Sequence, residues 1–477
     1  MIKNHFQLLQ MKKYILFLSI ILTLNFELYT LNCKAQYSKL FDFDSINGYA
    51  PSGSVVYDGT YLYGMTQYGG TSGEGVIFKI KPDGTSYSKL LDFTGINGSS
   101  PVGDIYYDGT FLYGMTQRGG LHDSGTVFKI MRDGTGYSKL LDFGGINGNN
   151  PFGSLIYDGT FLYGMTAVGG INNTGTIFKI DLNGSSYSKL HDFDVQGGTN
   201  GNNPTGSLIS DGTYLYGMAK YGGANGLGMI FKIMLDGSSY TKLFDFSGTA
   251  SGSWPNGSLM TDGTFLYGTT SEGGLNDQGS IFKIKYDGTS YTKLHDFAGG
   301  VLGNWPKANL LSAGGLLYGT ASAGGVNNMG IIFKLKTDGT EYADQLDFSG
   351  TANGSTPFGS LISDGTFLYG MTMAGGANNI GTVFKYALAT GIAENNDAID
   401  FDVYPNPGNG HLSLTLSTGE GNVSVYNVLG EKIYHIDNSQ INKSSNFQID
   451  LSSQPAGIYF IQVMAGQGMG VKKIIIQ

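Results

Sequence analysis

Apolar and polar residues alternate over short runs, and the same runs return along most of the chain. In one stretch the alternation predicts four strands, Gly153–Tyr157, Phe161–Thr166, Gly175–Ile180 and Tyr187–Phe193. Between them lie Asp158-Gly159, Gly169-Gly170 and Asn183-Gly184. Asp-Gly and Asn-Gly supply the positive φ that tight hairpins need. The second strand carries Leu-Tyr-Gly, which recurs at 62–64, 112–114, 162–164, 215–217, 266–268, 317–319 and 368–370. The spacings are 50, 50, 53, 51, 51 and 51 residues, in the kelch range and above that of WD repeats. Seven units of four antiparallel strands predict an all-β fold, a seven-bladed β-propeller with kelch-like blades over residues 36–388.

A closed ring must join its ends or leave strand edges exposed. Tyr37–Phe43 matches the fourth strand of a unit yet comes first, and the seventh unit stops at its third strand, Thr382–Leu388. The N-terminal strand is therefore expected to close the last blade. Asp58, Asp108, Asp158, Asp211, Asp262 and Asp364 each precede Gly at the first hairpin and are expected as turn formers, not catalytic acids. The sixth unit departs, with Ala313-Gly314-Gly315. The recurring Phe-Lys and Asp-Phe pairs are expected to be architectural, with Phe between sheets and Asp capping a loop. The Asp-Gly-Thr, Leu-Tyr-Gly, Gly-Gly and Phe-Lys series resembles the choice-of-anchor tandem repeats of the Gloeo/Verruco (GloVer) type. That resemblance covers residues 37–388 and implies attachment to a surface-sorting anchor, with no activity implied.

The two ends read differently. Met11-Lys12-Lys13 precedes the apolar run Tyr14–Leu24, too short to span a bilayer, so residues 1–35 predict a signal peptide for which Met11 is an alternative start. Cleavage is expected near Ala35/Gln36, after small residues at Cys33 and Ala35. The rival, a lipid anchor on Cys33, is poorly supported by the preceding Thr30-Leu31-Asn32. Residues 389–400 predict a linker, and 401–477 a small Ig-like β-sandwich. This last segment resembles the C-terminal sorting domain of type IX secretion cargo through Tyr404-Pro405-Asn406-Pro407, the Gly430 turn, Gly457 in Pro455-Ala456-Gly457-Ile458-Tyr459-Phe460, and Lys472-Lys473. The resemblance implies type IX secretion machinery as a partner and a secreted or outer-surface location.

Composition narrows the chemistry. Gly, at 77 residues, with 31 Tyr and 28 Phe, suits short strands and tight turns. Removal of residues 1–35 leaves 24 basic and 36 acidic side chains, a net charge near −12 that argues against nucleic-acid binding. Cys33 is the only cysteine, so no intrachain disulfide and no Cys/His metal cluster are expected. No cofactor motif stands out, and no later segment is apolar enough to span a membrane.

Residues that break the repeat are the best site candidates, because the fold alone does not require them. On the face formed by loops after the second and fourth strands these are Arg118, His122, Lys220, Glu272, Trp254, Trp305 and Lys307. An exposed indole offers a flat apolar face to a sugar ring; each Trp could equally cover its own inter-blade gap. His191 and His295 fall in fourth strands and are expected as packing variants. The leading expectation is a surface or secreted binding module for a glycan or protein ligand. The alternatives are a secreted polysaccharide-degrading enzyme and a structural envelope repeat.

Overall fold

The computed structural model describes residues 36–388, 401–416, 422–427, 432–436, 447–465 and 468–477. The expected signal peptide, the linker and Gly430 lie outside the described residues. The chain divides into two compact units, one ending at Leu388 and one beginning at Ala389. Among the described residues there is no α-helix, only the short 3₁₀ turn Gly300–Leu302.

The first unit holds seven four-stranded antiparallel sheets in chain order, a propeller-like arrangement. The third consists of Ile156–Tyr157, Phe161–Thr166, Thr176–Asp181 and Tyr187–Asp192. Its first strand is two residues long, shorter than the expected Gly153–Tyr157. The reason is that Ser154 N–H donates 2.8 Å sideways to Ser207 Oγ of the next sheet, so Gly153 and Ser154 leave the ladder. The last sheet is completed by the first strand, Tyr37–Asp42, paired antiparallel with Thr382–Ala387.

Recurrent residues do the stitching. Within six of the seven first hairpins an Asp carboxylate accepts backbone N–H groups: Asp158 Oδ1 from Thr160 and Phe161 at 2.7 and 2.8 Å, while Oδ2 takes the Tyr163 hydroxyl at 2.8 Å. The Asp of each Asp-Phe pair caps the Gly-Gly loop of its own sheet, as Asp192 does for Ile171 N–H at 2.9 Å. The Phe of that pair meets the Phe of the next sheet's Phe-Lys pair edge-on, at 5.3–5.4 Å in all seven places. Phe43 with Phe78 is the contact that joins the last sheet to the first. The core is correspondingly split into clusters between neighbouring sheets, including one that unites Leu62 and Phe78 with Tyr369, Met371 and Val383.

The second unit has two antiparallel sheets. One orders Phe401–Tyr404, His411–Leu416 and Phe447–Asp450; the other Lys432–Ile436, Asn422–Asn427, Gly457–Ala465 and Gly468–Ile476. Val423, Val425, Ile461, Val463 and Ile474 from one sheet bury against Leu412, Leu414 and Ile449 from the other. Asn406 anchors the Tyr404–Pro407 segment, accepting from Ile475 N–H at 2.9 Å and donating to Lys473 C=O at 2.8 Å. Lys472 pairs with Asp402 at 3.0 Å. Gly457 opens the long strand Gly457–Ala465, paired with Ile476.

Candidate functional site

Seven equivalent segments, one per sheet, converge on a single cavity of about 330 Å³. Each has the form Pro-X-Gly, with Ala308 replacing Gly in the sixth. The Gly is forced by crowding: a side chain at Gly103 would overlap the carbonyl of Gly153, and one at Gly359 that of Gly53. Just beyond, backbone N–H groups reach to the next sheet's side chain, Asp104 to Ser154 Oγ at 2.7 Å, Ser207 to Ser258 Oγ at 2.6 Å and Asn309 to Ser360 Oγ at 2.9 Å. These bonds hold the rim of the cavity rigid. Asp104 belongs to this set, since its Oδ1 accepts Ser54 N–H at 2.5 Å.

The X positions carry no such need for Gly, although Thr205 Oγ1 donates to Asn256 of the next sheet at 3.4 Å and Asn256 Nδ2 donates to Ser271 Oγ at 2.7 Å. They are Ser52, Val102, Phe152, Thr205, Asn256, Lys307 and Phe358, six residue types in seven places, and all line the cavity. Gln117, Ala167 and Lys220, which follow the second strands, also line it. The Asn150 carboxamide oxygen is buried on this wall without a hydrogen-bond partner. A buried acceptor in that state favours a ligand donor.

Charge is concentrated on one side. Lys220 lies over the Tyr221 ring at 5.2 Å, and Lys307 over Phe358 at 4.8 Å. Burial pushes the Lys307 ammonium below its ordinary pKa, Lys220 pushes it the same way, and Glu272 partly opposes both. Burial raises the Glu272 carboxyl, helped by Asp277 and opposed by Lys220 and Lys307. The three side chains therefore feel one another. Neither lysine has a carboxylate within ion-pair distance among the described residues.

The family called the Gloeobacter/Verrucomicrobia repeat matches residues 27–161, 157–283 and 251–424. The chain belongs to that family. Its repeats precede a secretion system C-terminal sorting domain, matched over residues 402–477, which marks a type IX cargo that is secreted or held at the cell surface. No curated protein matches the sequence. Among solved structures, the repeat protein is similar to PorZ, a surface component of the type IX secretion system of Porphyromonas gingivalis, at 13% identity and TM-score 0.47 over 92% of this chain. The match spans 60% of the PorZ chain. Oligogalacturonate lyase of Vibrio parahaemolyticus aligns at 11% identity and TM-score 0.44, over 74% of this chain and 93% of its own. TolB of Acinetobacter baumannii aligns at 12% identity and TM-score 0.35, over 69% of this chain and 80% of its own. Such similarity transfers no activity from those proteins to this chain.

Of the seven residues singled out in the repeats, Lys220 and Lys307 line the cavity and Glu272 is electrostatically tied to them. Trp254 packs edge-on against Tyr221 at 5.8 Å, which places it in the Lys220 sector. Trp305 is 44% exposed, two residues before Lys307. Both Trp residues have positive φ, 55° and 54°. The backbone explains this: Trp254 N–H donates to Leu227 C=O of the previous sheet at 2.9 Å, and its C=O accepts from Ser271 Oγ at 2.8 Å. Ala50, Ser100, Asn150, Asn203 and Thr356 take the same left-handed backbone in the other units. The position is thus architectural through its main chain and variable in its side chain. Arg118 and His122 are exposed and do not line the cavity.

Phe152, Phe358 and Asn256 also line the cavity, and no loop motif marks them. The signal for them was present, as the one variable slot between a constant Pro and a nearly constant Gly. Among the described residues no group of three or more His, Cys, Asp or Glu could hold a metal, and no helix is long and apolar enough to cross a membrane.

Proposed function

We propose that this chain is an exported, seven-bladed, kelch-like propeller that binds a glycan at the axial cavity. In this reading the N-terminal segment is removed near Ala35/Gln36, and the Ig-like C-terminal unit delivers the propeller to the surface. The observation that carries the reading is the Pro-X-Gly slot. Architecture is constant on both sides of X, while X itself changes from unit to unit and faces one cavity. Amide, hydroxyl and aromatic side chains there suit a sugar, whose hydroxyls need donors and acceptors and whose ring needs a flat apolar face.

A glycan array probed with the purified protein tests the proposal. Binding should be saturable and weakened about tenfold or more by Phe152→Ala with Phe358→Ala, the loss that two aromatic contacts of ~1 kcal/mol each would produce. Absence of array binding, or binding indifferent to Phe152→Ala with Phe358→Ala, would remove the glycan reading.

A further inference from the structure

The cavity carries a charge pattern that a neutral ligand does not need. Lys220 and Lys307 come from different sheets, yet both line this one cavity, and Lys220 adds to burial in disfavouring the Lys307 ammonium. Holding two ammonium groups together in a half-buried wall costs stability unless something compensates. Six other lysines show the usual solution in this fold: Lys39, Lys89, Lys139, Lys189, Lys242 and Lys293 each pair at 2.8–2.9 Å with an Asp three residues on. Among the described residues, Lys220 and Lys307 have no such ion pair, only the faces of Tyr221 and Phe358 and the field of Glu272. Asp104, the carboxylate in the cavity lining, is already engaged by Ser54 N–H.

We propose that the two lysines form a subsite for an anionic group carried on a sugar ring, a uronate carboxylate or a sulfate ester. The inference rests on the glycan reading above and sharpens it. The neighbouring groups fit the rest of such a ligand: Asn256 and the unpartnered Asn150 oxygen for ring hydroxyls, Phe358 and Phe152 for the ring face. The cavity, about 330 Å³, lies at the low end of the ~300–1,000 Å³ usual for small-molecule sites. It therefore takes a terminal unit or two, not the flank of a long polyanion, which the acidic mature chain would repel.

The test is calorimetric titration of the purified full-length protein with matched trisaccharides: uronic acids, the same sugars with every carboxylate methyl-esterified, and a sulfated neutral trisaccharide. The proposal expects at least one anionic probe to bind tenfold or more tighter than the ester. It expects Lys220→Gln with Lys307→Gln to bring the acid-to-ester affinity ratio to about one. Lys220→Arg with Lys307→Arg should retain the preference, and raised salt should weaken anionic binding alone. Which anionic probe prefers the wild type distinguishes carboxylate from sulfate. If the Gln pair lowers the melting temperature, the acid-to-ester ratio on the wild type and the Arg pair decides. Binding of the uronic acids and of the sulfated probe no tighter than the ester overturns the anionic subsite and leaves the glycan reading standing. Binding of no trisaccharide, together with a blank array, overturns both.

Discussion

His191 and His295 occupy a fourth-strand position that holds Leu or Phe in other units. Their rings stack on Tyr240 and Tyr342 of the next sheet at 3.9 and 3.7 Å, and neither Nε2 has a hydrogen-bond partner. They act as flat apolar groups. Burial pushes His295 down to about 4 from the ordinary 6.5, with Asp296 opposing. The folded state thus favours neutral imidazole. Its contribution is complete above 6.5 and is lost as pH falls toward 4. His295→Phe should therefore raise the melting temperature by about 1–3 °C at pH 5 and leave it nearly unchanged at pH 7.5. Thermal melts at the two pH values check this.

Asp344 shows the opposite linkage. It stands where six other sheets have the paired Lys, so it faces Asp347 as a second carboxyl. Burial first, and Asp347 next, raise Asp344 to about 6 from 3.8. The protonated form is favoured in the fold, so the associated stability is present below 3.8 and lost as pH rises through 6. Asp344→Lys restores the pattern of the other sheets. It should stabilise the protein at pH 7.5 by about 1 kcal/mol, given solvent screening of a half-exposed pair, and the gain should shrink below pH 4. Denaturation at both pH values reads the difference.

At the scale of the element, the closing strand is the part on which the ring most depends. Tyr37–Asp42 covers the edge of Thr382–Ala387, Tyr37 donates to Asn353 C=O at 2.7 Å, and Asp42 accepts from Ala377 N–H at 2.8 Å. Deleting residues 37–43 would bare a strand edge and strip Phe78 of its Phe43 contact. The melting temperature should fall by roughly 10 °C or more, since burying one Phe alone is worth about 3–5 kcal/mol. A differential scanning calorimetry trace unchanged by the deletion would contradict this closure. The strand was legible because its sequence has the phase of a fourth strand in first place. Second, third and fourth strands were legible too, since turn dipeptides bound them and their alternation is regular. The first strand was overestimated because its N-terminal half bonds to residues about 50 positions away. Local periodicity carries no trace of such lateral bonds. For the same reason the left-handed backbone at Trp254 and Trp305 was not legible: it is set by partners in two different sheets.

For the whole molecule, the repeat that makes the fold so readable also conceals the site. Every unit supplies the same Phe edge contact and loop cap, six of the seven supply the hairpin Asp, and these dominate the sequence. The cavity is assembled from one short segment per unit with a single variable residue in each, so its composition is dispersed over residues 52–360. Lys220 and Lys307 were visible as odd residues; Phe152 and Phe358 were not, because aromatic residues are common throughout the chain. The sorting domain places the protein outside the cell or on its surface, and the repeat family adds no ligand. They leave its ligand to the cavity.

A crystal structure of the protein soaked with a uronic-acid or sulfated trisaccharide tests that assignment most directly. The account predicts sugar in the axial cavity, its anionic group within hydrogen-bond reach of Lys220 and Lys307 and a ring against Phe358. Sugar bound only elsewhere, whether beside Arg118 and His122 or on the Asp-Gly hairpin face, would contradict it.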